Sequence, residues 1–223
     1  MTGRTRILLD TDIGDDIDDA YALAFILACP ELELAGVTTV FGNTVARARQ
    51  AQTVLSIAGR DDVPVAAGCG VPLSPRIDYR PADLPFQRAS LRLKASDILS
   101  DVRPKQAAAS LPDCRLPPLD ARPGPQFLIE TVMAGQGEIV VVTIGAMTNL
   151  AVALSLEPRI VEKIPLVVSM AGVFTSQGPE WNIRCDPVAA ALVFQSGIPM
   201  TIAGLDVTLP CRLTDRQVEE LGR

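Results

Sequence analysis

Residues 6–29 read RILLDTDIGDDIDDAYALAFILAC, a short apolar run, a turn crowded with aspartates, and a long apolar run ended by Pro30. The first run, at 6–10, is the length and composition of a buried strand. The second, at 18–29, is too long for one and is apolar almost all round, which predicts a buried helix. A strand that enters a helix through one tight turn is the building unit of a parallel sheet. The same alternation continues outward, with β-rich runs at 34–40, 63–67, 139–143, 166–170 and 200–205 and helical patterns between them. Residues 44–59 put Val45, Ala48, Ala51, Val54, Leu55 and Ala58 on one stripe and close on Gly59, a C-cap signal. Asp186-Pro187 opens another helix, with aspartate as N-cap and proline in the first turn. The fold class expected is α/β, an open, mostly parallel sheet with helices on both faces and Rossmann-like topology, in a single domain over 1–223.

One stretch breaks the rhythm. Residues 70–125 carry ten prolines and many of the arginines, and so long a connection inside a compact domain reads as a variable loop or insert serving as a lid, binding loop or contact surface. At the far end, TDRQVEELGR (214–223) begins with an N-cap-like Thr214 and looks like a helix just opening. The expectation is a domain lacking its C-terminal part.

Composition removes several chemistries. The chain has 223 residues, 48% of them apolar, enough for a sizeable core. It contains no histidine, so Ser/His/Asp triads, HExxH zinc sites and histidine general acids are excluded within it. Acid–base work falls to carboxylates. Five scattered cysteines without a CxxC pair make a poor disulfide framework. With no apolar signal core and no 18-residue apolar run, a cytoplasmic protein free of the membrane is expected. A net charge of −6 argues against a nucleic-acid partner and for a small neutral ligand or a cation.

The turn at 10–19, DTDIGDDIDD, holds Asp10, Asp12, Asp15, Asp16, Asp18 and Asp19, and no lysine or arginine occurs from Ile7 to Ala46. One or two carboxylates are explained by a helix N-terminus, which stabilises each by about 0.3–1 kcal/mol. Six within ten residues repel one another unless a hard cation neutralises them. Asp10 and Asp12 are spaced to face the same way along a strand, Asp15 and Asp19 are i, i+4 around the helix start, and Gly14 supplies the bend. With only oxygen ligands on offer, calcium or magnesium fits better than zinc. In open α/β sheets the ligand crevice lies at the carboxyl ends of the strands. There the acidic turn would meet Gly42-Asn43-Thr44, residues 144–149 and residues 171–174. Asn43 is balanced between a helix cap and a contact in that crevice.

In order along the chain, ILLDTDIGDDIDDAYAL, VTTVFGNT, VPVAAG, TIGAMTNLAVAL, VVSMAGVF, EWNIRCDPVAAALVFQSGIP and GLDVT resemble the inosine/uridine-preferring nucleoside hydrolases, over nearly the whole chain except 74–125. The resemblance implies a nucleoside-hydrolase-like fold, a ribonucleoside substrate, hydrolysis of its N-glycosidic bond to base and ribose, a role in purine and pyrimidine salvage, and a homodimer or homotetramer. It implies calcium as cofactor, with Asp12, Asp19 and the Ile144 carbonyl as metal ligands and Asp12 also the base that takes a proton from a calcium-bound water. Asp18 and Asn43 would hold ribose hydroxyls, Met170, Glu180 and Asn182 would line the ribose pocket, and Asp10 would stand behind the ligands as a hydrogen-bonding partner. The family turn is often two residues shorter, so Asp15 or Asp16 could take the place of Asp18 or Asp19. Asp186 reads as a helix cap, and Asp206 as either a cap or a pocket residue.

The family also carries a late His-Asp pair that this chain lacks, and its pocket asparagine is missing from TSQGP (175–179). The alternative reading is therefore a catalytically impaired hydrolase-fold protein that binds calcium, ribose or a partner subunit. A phosphohydrolase of the haloacid dehalogenase type also places DxD after its first strand, but the lysines, Lys94, Lys105 and Lys163, and Gly14 after Ile13 suit it poorly.

Overall fold

A computed structural model describes residues 3–74, 104–112, 115–175 and 179–221, and the backbone of two strands at 76–79 and 91–94. Strand β1 (Thr5–Thr11) leads into helix α1 (Asp18–Ala28), β2 (Leu32–Thr39) into α2 (Thr44–Ile57), and β3 (Val65–Ala67) follows. After the 70–125 connection come α3 (Gly124–Ala134), β6 (Ile139–Thr143), α4 (Thr148–Leu156), β7 (Val167–Met170), α5 (Trp181–Cys185), α6 (Pro187–Phe194) and β8 (Met200–Ala203). Two short helices, α7 (Leu205–Thr208) and α8 (Asp215–Leu221), end the described chain.

The six main strands are parallel throughout and lie in the order β3-β2-β1-β6-β7-β8. Counting only these six, the order is 3-2-1-4-5-6, the doubly wound arrangement that the sequence predicts. Alternation along β1 assigns the faces. Ile7 and Leu9 pack with Leu23 and Ile26 of α1 and Ala48, Ala51 and Leu55 of α2. Leu8 packs on the other side with residues of α3, α4 and α6, including Phe127, Leu150 and Val193. The order in which successive strands are added reverses between β1 and β6, which opens a crevice at their carboxyl ends, where the acidic turn begins.

Three local expectations are corrected. Helix α1 is apolar all round but buries only Asp19, Leu23 and Ile26, leaving Tyr21 and Phe25 exposed, because the sheet and α2 cover one side of it. On α2, Val45 and Ala58 are exposed, while Arg47 and Gln50 are buried with Ala48 and Ala51. Arg47 and Gln50 meet the acidic turn, while Ala48 and Ala51 beside them meet the apolar core. The last strand ends at Ala203, and Leu205 already belongs to α7.

Within 70–125, β4 (Arg76–Tyr79) and β5 (Leu91–Lys94) pair antiparallel, and a 3-10 turn spans Lys105–Ala109. The Gln106 amide donates to the Gly14 carbonyl at 2.8 Å, which sets the 105–109 turn against the acidic turn. Residues 75, 80–90, 95–103, 113–114 and 176–178 lie outside the described residues. The four described cysteines are free. Thr214 caps α8 with Gln217 in reciprocal hydrogen bonds of 2.8 and 3.4 Å. Among the described residues no helix is long and apolar enough to cross a membrane.

Candidate functional site

Asp10, one residue before the end of β1, has its carboxylate fully buried. Its Oδ1 accepts from Thr38 Oγ1 and from Asn149 Nδ2, both at 2.7 Å, while Oδ2 is buried with no partner among the described residues. Burial outweighs these two hydrogen bonds and, with the charge of Asp12 adding to it, pushes the Asp10 carboxyl up to about 7. Asn149 also donates to the Thr39 carbonyl at 3.0 Å and accepts from the Cys69 amide at 2.8 Å. It thereby ties the ends of β1, β2 and β3 together. The sequence places its segment, 144–149, at the crevice but gives Asn149 itself no role.

Beyond Asp10 the chain turns into the crevice. The Asp12 carboxyl is likewise pushed up to about 7 by burial, with Arg47 pulling it down and Asp15 and Asp16 pushing it up. A side chain at Gly145 would come within 2.9 Å of Asp12 N and Oδ1 and of Val40 Cγ1. The loops after β1, β2 and β6 thus converge on Asp12, and only glycine permits the approach. Asp19 is buried beneath the turn, where Thr11 Oγ1 donates to its carboxylate. Burial and the neighbouring charges of Asp12, Asp18 and Asp16 hold the Asp19 carboxyl well above the usual range. Asp16 is raised to about 6, first by partial burial and then by Asp18.

Carboxylate oxygens of Asp16, Asp18 and Asp19 lie within 4.8 Å of one another. These three could hold a metal ion, and the group includes Asp16. The structure does not pair Asp15 with Asp19. Asp15 instead accepts from Arg47 Nη2 at 2.7 Å. Arg47, just past the stretch without basic residues, is the counter-charge that the local sequence lacks, and it reaches the turn from α2. The sequence hides this role, because the stripe on α2 reads as apolar and Arg47 lies beside it.

A second set of residues faces the same crevice from the β6 and β7 side. Asn182 Nδ2 donates to the Ile144 carbonyl at 2.9 Å and to the Met170 carbonyl at 3.1 Å. A carbonyl has two lone pairs, so Ile144 keeps capacity for another partner. Glu180, buried, accepts from the amides of Asn182 (2.7 Å), Ile183 (3.1 Å) and Gly172 (3.1 Å). It caps α5 and pins the loop after β7. Asp186 accepts from the amides of Leu73, Ser74 and Ala189 and from the hydroxyls of Thr148 and Ser74, a structural hub as well as the expected cap. Asn43 caps α2 by accepting from the Ala46 amide at 3.0 Å. Asp206 accepts from the Phe174 amide at 3.2 Å from α7, not from a strand.

A doubly wound parallel sheet with an oxygen-rich, carboxylate-lined crevice at its switch point defines a class of α/β proteins that bind small polar ligands with hard cations. The comparisons narrow this. Residues 7–223 match the family described as inosine-uridine preferring nucleoside hydrolase, and the chain belongs to that family. Uridine nucleosidase 1 of Arabidopsis thaliana is 36% identical over 97% of this chain and 61% of its own length. The inosine-uridine preferring nucleoside hydrolase of Leishmania major is 34% identical, covering 97% of this chain and 66% of the relative. Among solved structures, a purine-preferring ribonucleoside hydrolase from Gardnerella vaginalis superposes with a TM-score of 0.75 at 30% identity, over 96% of this chain and 65% of that one. The chain thus spans roughly 61–66% of the length of these relatives.

Proposed function

We propose that this chain hydrolyses the N-glycosidic bond of ribonucleosides, releasing the base and ribose, with Asp12 as the proton acceptor. The observation that supports this most directly is the placement of Asp12. It is a largely buried carboxylate held where three strand-end loops meet, among acidic neighbours that the turn itself does not neutralise. The chain contains no histidine, so proton transfer at the crevice falls to a carboxylate, and Asp12 is the one that these loops enclose. Water attacking the anomeric carbon from that side would lose its proton to Asp12 as the ribosyl group develops positive charge, which the surrounding carboxylates favour.

The donor set fits a hard divalent cation, since it offers only carboxylate and carbonyl oxygens and carries negative charge that burial makes costly. Asp12 and Asp19 with the Ile144 carbonyl, and Asp16 beside Asp19, would hold it, and we take calcium as the ion. Bound there, it would lower the proton affinity of water and fix vicinal hydroxyls. Asp18 and Asn43 would hold ribose hydroxyls, and Met170 and Asn182 would wall the ribose. Glu180, with both carboxylate oxygens engaged by backbone amides, would act by holding Asn182 in place.

Ribose release from uridine and from inosine, measured with saturating calcium and again in EDTA, tests the reading. Calcium-dependent release of ribose from either nucleoside is expected. No ribose from either, with calcium bound, would overturn it.

A further inference from the structure

The acidic turn is organised by one residue that the proposed chemistry does not use. Arg47 is 2% exposed. Its Nε donates to the Phe41 carbonyl at 2.7 Å, Nη1 donates to the carbonyls of Asp12 and, at 3.0 Å, Ile13, and Nη2 donates to Asp15 Oδ2 at 2.7 Å. Four of the five guanidinium N–H bonds are thus committed to two loops. The loop after β1 receives three of them and the loop after β2 the fourth. Phe41 is the one described non-glycine residue with positive φ, at 65°, and its carbonyl is one of the three that Arg47 holds. The Phe41 ring in turn meets Trp181 edge-on at 6.3 Å, which carries the same constraint across to α5.

We infer that Arg47 is the positioning residue of this centre: its guanidinium clamps the carbonyls of Asp12, Ile13 and Phe41, aiming the Asp12 carboxylate into the crevice, with Asp15 as its partner rather than a metal ligand. The assignment rests on the proposed function only for what the aimed carboxylate then does. Acceptors on three sides of a plane demand the planar fork of arginine, and an ammonium group carries its three donors on one atom and cannot span them. Asp15 completes the clamp from the far side.

The test uses the whole chain and three variants, Arg47→Met, Arg47→Lys and Asp15→Asn, with Leu128→Ala as a control that opens a cavity in the core away from the turn. Amide hydrogen exchange at 12–17 without added metal reads the clamp itself, and calorimetric titration with calcium alone reads its consequence. Exchange at 12–17 should rise at least tenfold in Arg47→Met and Arg47→Lys and stay at the wild-type level in Leu128→Ala. Calcium affinity should fall about 10–100-fold in both Arg47 variants, the usual cost of losing a residue that orients metal ligands, but less than threefold in Asp15→Asn. Unchanged exchange in Arg47→Met, or full rescue by lysine, overturns the assignment. So does a loss of affinity in Asp15→Asn equal to that in Arg47→Met, which would make Asp15 a ligand. Raised exchange and weakened calcium binding in a chain that releases no ribose would support Arg47 and defeat the hydrolase reading.

Discussion

The turn after β1 and the segment from Glu180 to Asp186 face the same crevice, and both are rich in carboxylates, yet they are built on opposite terms. In the second, Glu180 and Asp186 are buried acceptors ringed by backbone amides and hydroxyls. Such a carboxylate is compensated and holds the fold together. In the first, Asp10, Asp12, Asp16 and Asp19 all have proton affinities raised by burial and by one another, and one oxygen of Asp10 has no partner. Polar groups left uncompensated in a native fold are tolerated where a ligand completes them. The contrast separates scaffold from working site without reference to any relative.

Replacing a carboxylate should therefore have opposite effects on stability in the two regions. The largest effect expected is on turnover in Asp12→Asn. Loss of a positioned base typically lowers rate by about 10²–10⁴-fold, so kcat for ribose release should fall by at least about 10²-fold. The same variant should melt at a higher temperature than wild type in EDTA, because it removes one buried like charge. Turnover within a few-fold of wild type would move the base to another aspartate, and a lower melting temperature would break the contrast.

In the compensated region the sign reverses. Asp186→Asn keeps the shape but presents donors to a ring of donors, and each buried group left unsatisfied costs about 1–3 kcal/mol. A loss of at least about 3 kcal/mol is expected, and for a chain of this size that lowers Tm by about 6–12 °C. Thermal melting in calcium checks it. A change of only a degree or two would show that Asp186 is not the hub its five contacts suggest.

Which parts of this were legible in the sequence follows from the range of the signals. Strand and helix periodicity is local, so β6 (Ile139–Thr143) and the Asp186-Pro187 helix start were readable to the residue. The crowding in DTDIGDDIDD was local too, and it marked the site. Arg47 was not legible as part of it, because its acceptors are 6 to 35 residues away in the chain. Nor could spacing say which aspartates share a face. The i, i+4 rule paired Asp15 with Asp19, whereas the chain from 12 to 17 is not yet helical and turns Asp15 toward α2. Asn149 escaped for the same reason, since its value lies in joining three strand ends remote in sequence.

A change of pH sharpens the comparison at a smaller scale. Carboxyls such as Asp10 and Asp12, raised from 3.8 to about 7, hold their protons more tightly folded than unfolded. Folding then takes up protons between those values, so stability in EDTA is greatest at the acid end of the window and falls as pH rises through about 7. We expect Tm in EDTA to drop by several degrees from pH 5 to pH 8, and calcium to flatten the slope by neutralising the turn. A Tm that rises over this range without metal would show that the turn is compensated after all.

The smallest effect distinguishes two roles for one residue that lies between the regions. Asn43 accepts from the Ala46 amide and so caps α2, and losing such a cap costs about 1 kcal/mol. Asn43→Ala should lower Tm by about 2–4 °C. Aspartate caps as well as asparagine, so Asn43→Asp should melt within about a degree of wild type. It lacks the Nδ2 donor, however, and that is the group the cap leaves free to meet a ribose hydroxyl. One such hydrogen bond is worth about 0.5–1.5 kcal/mol. Asn43→Asp should accordingly raise KM for uridine by up to about tenfold at nearly constant kcat. If KM stays at the wild-type value while Asn43→Ala loses only its cap energy, Asn43 serves the scaffold alone, and the ribose is held from the side of Asp18.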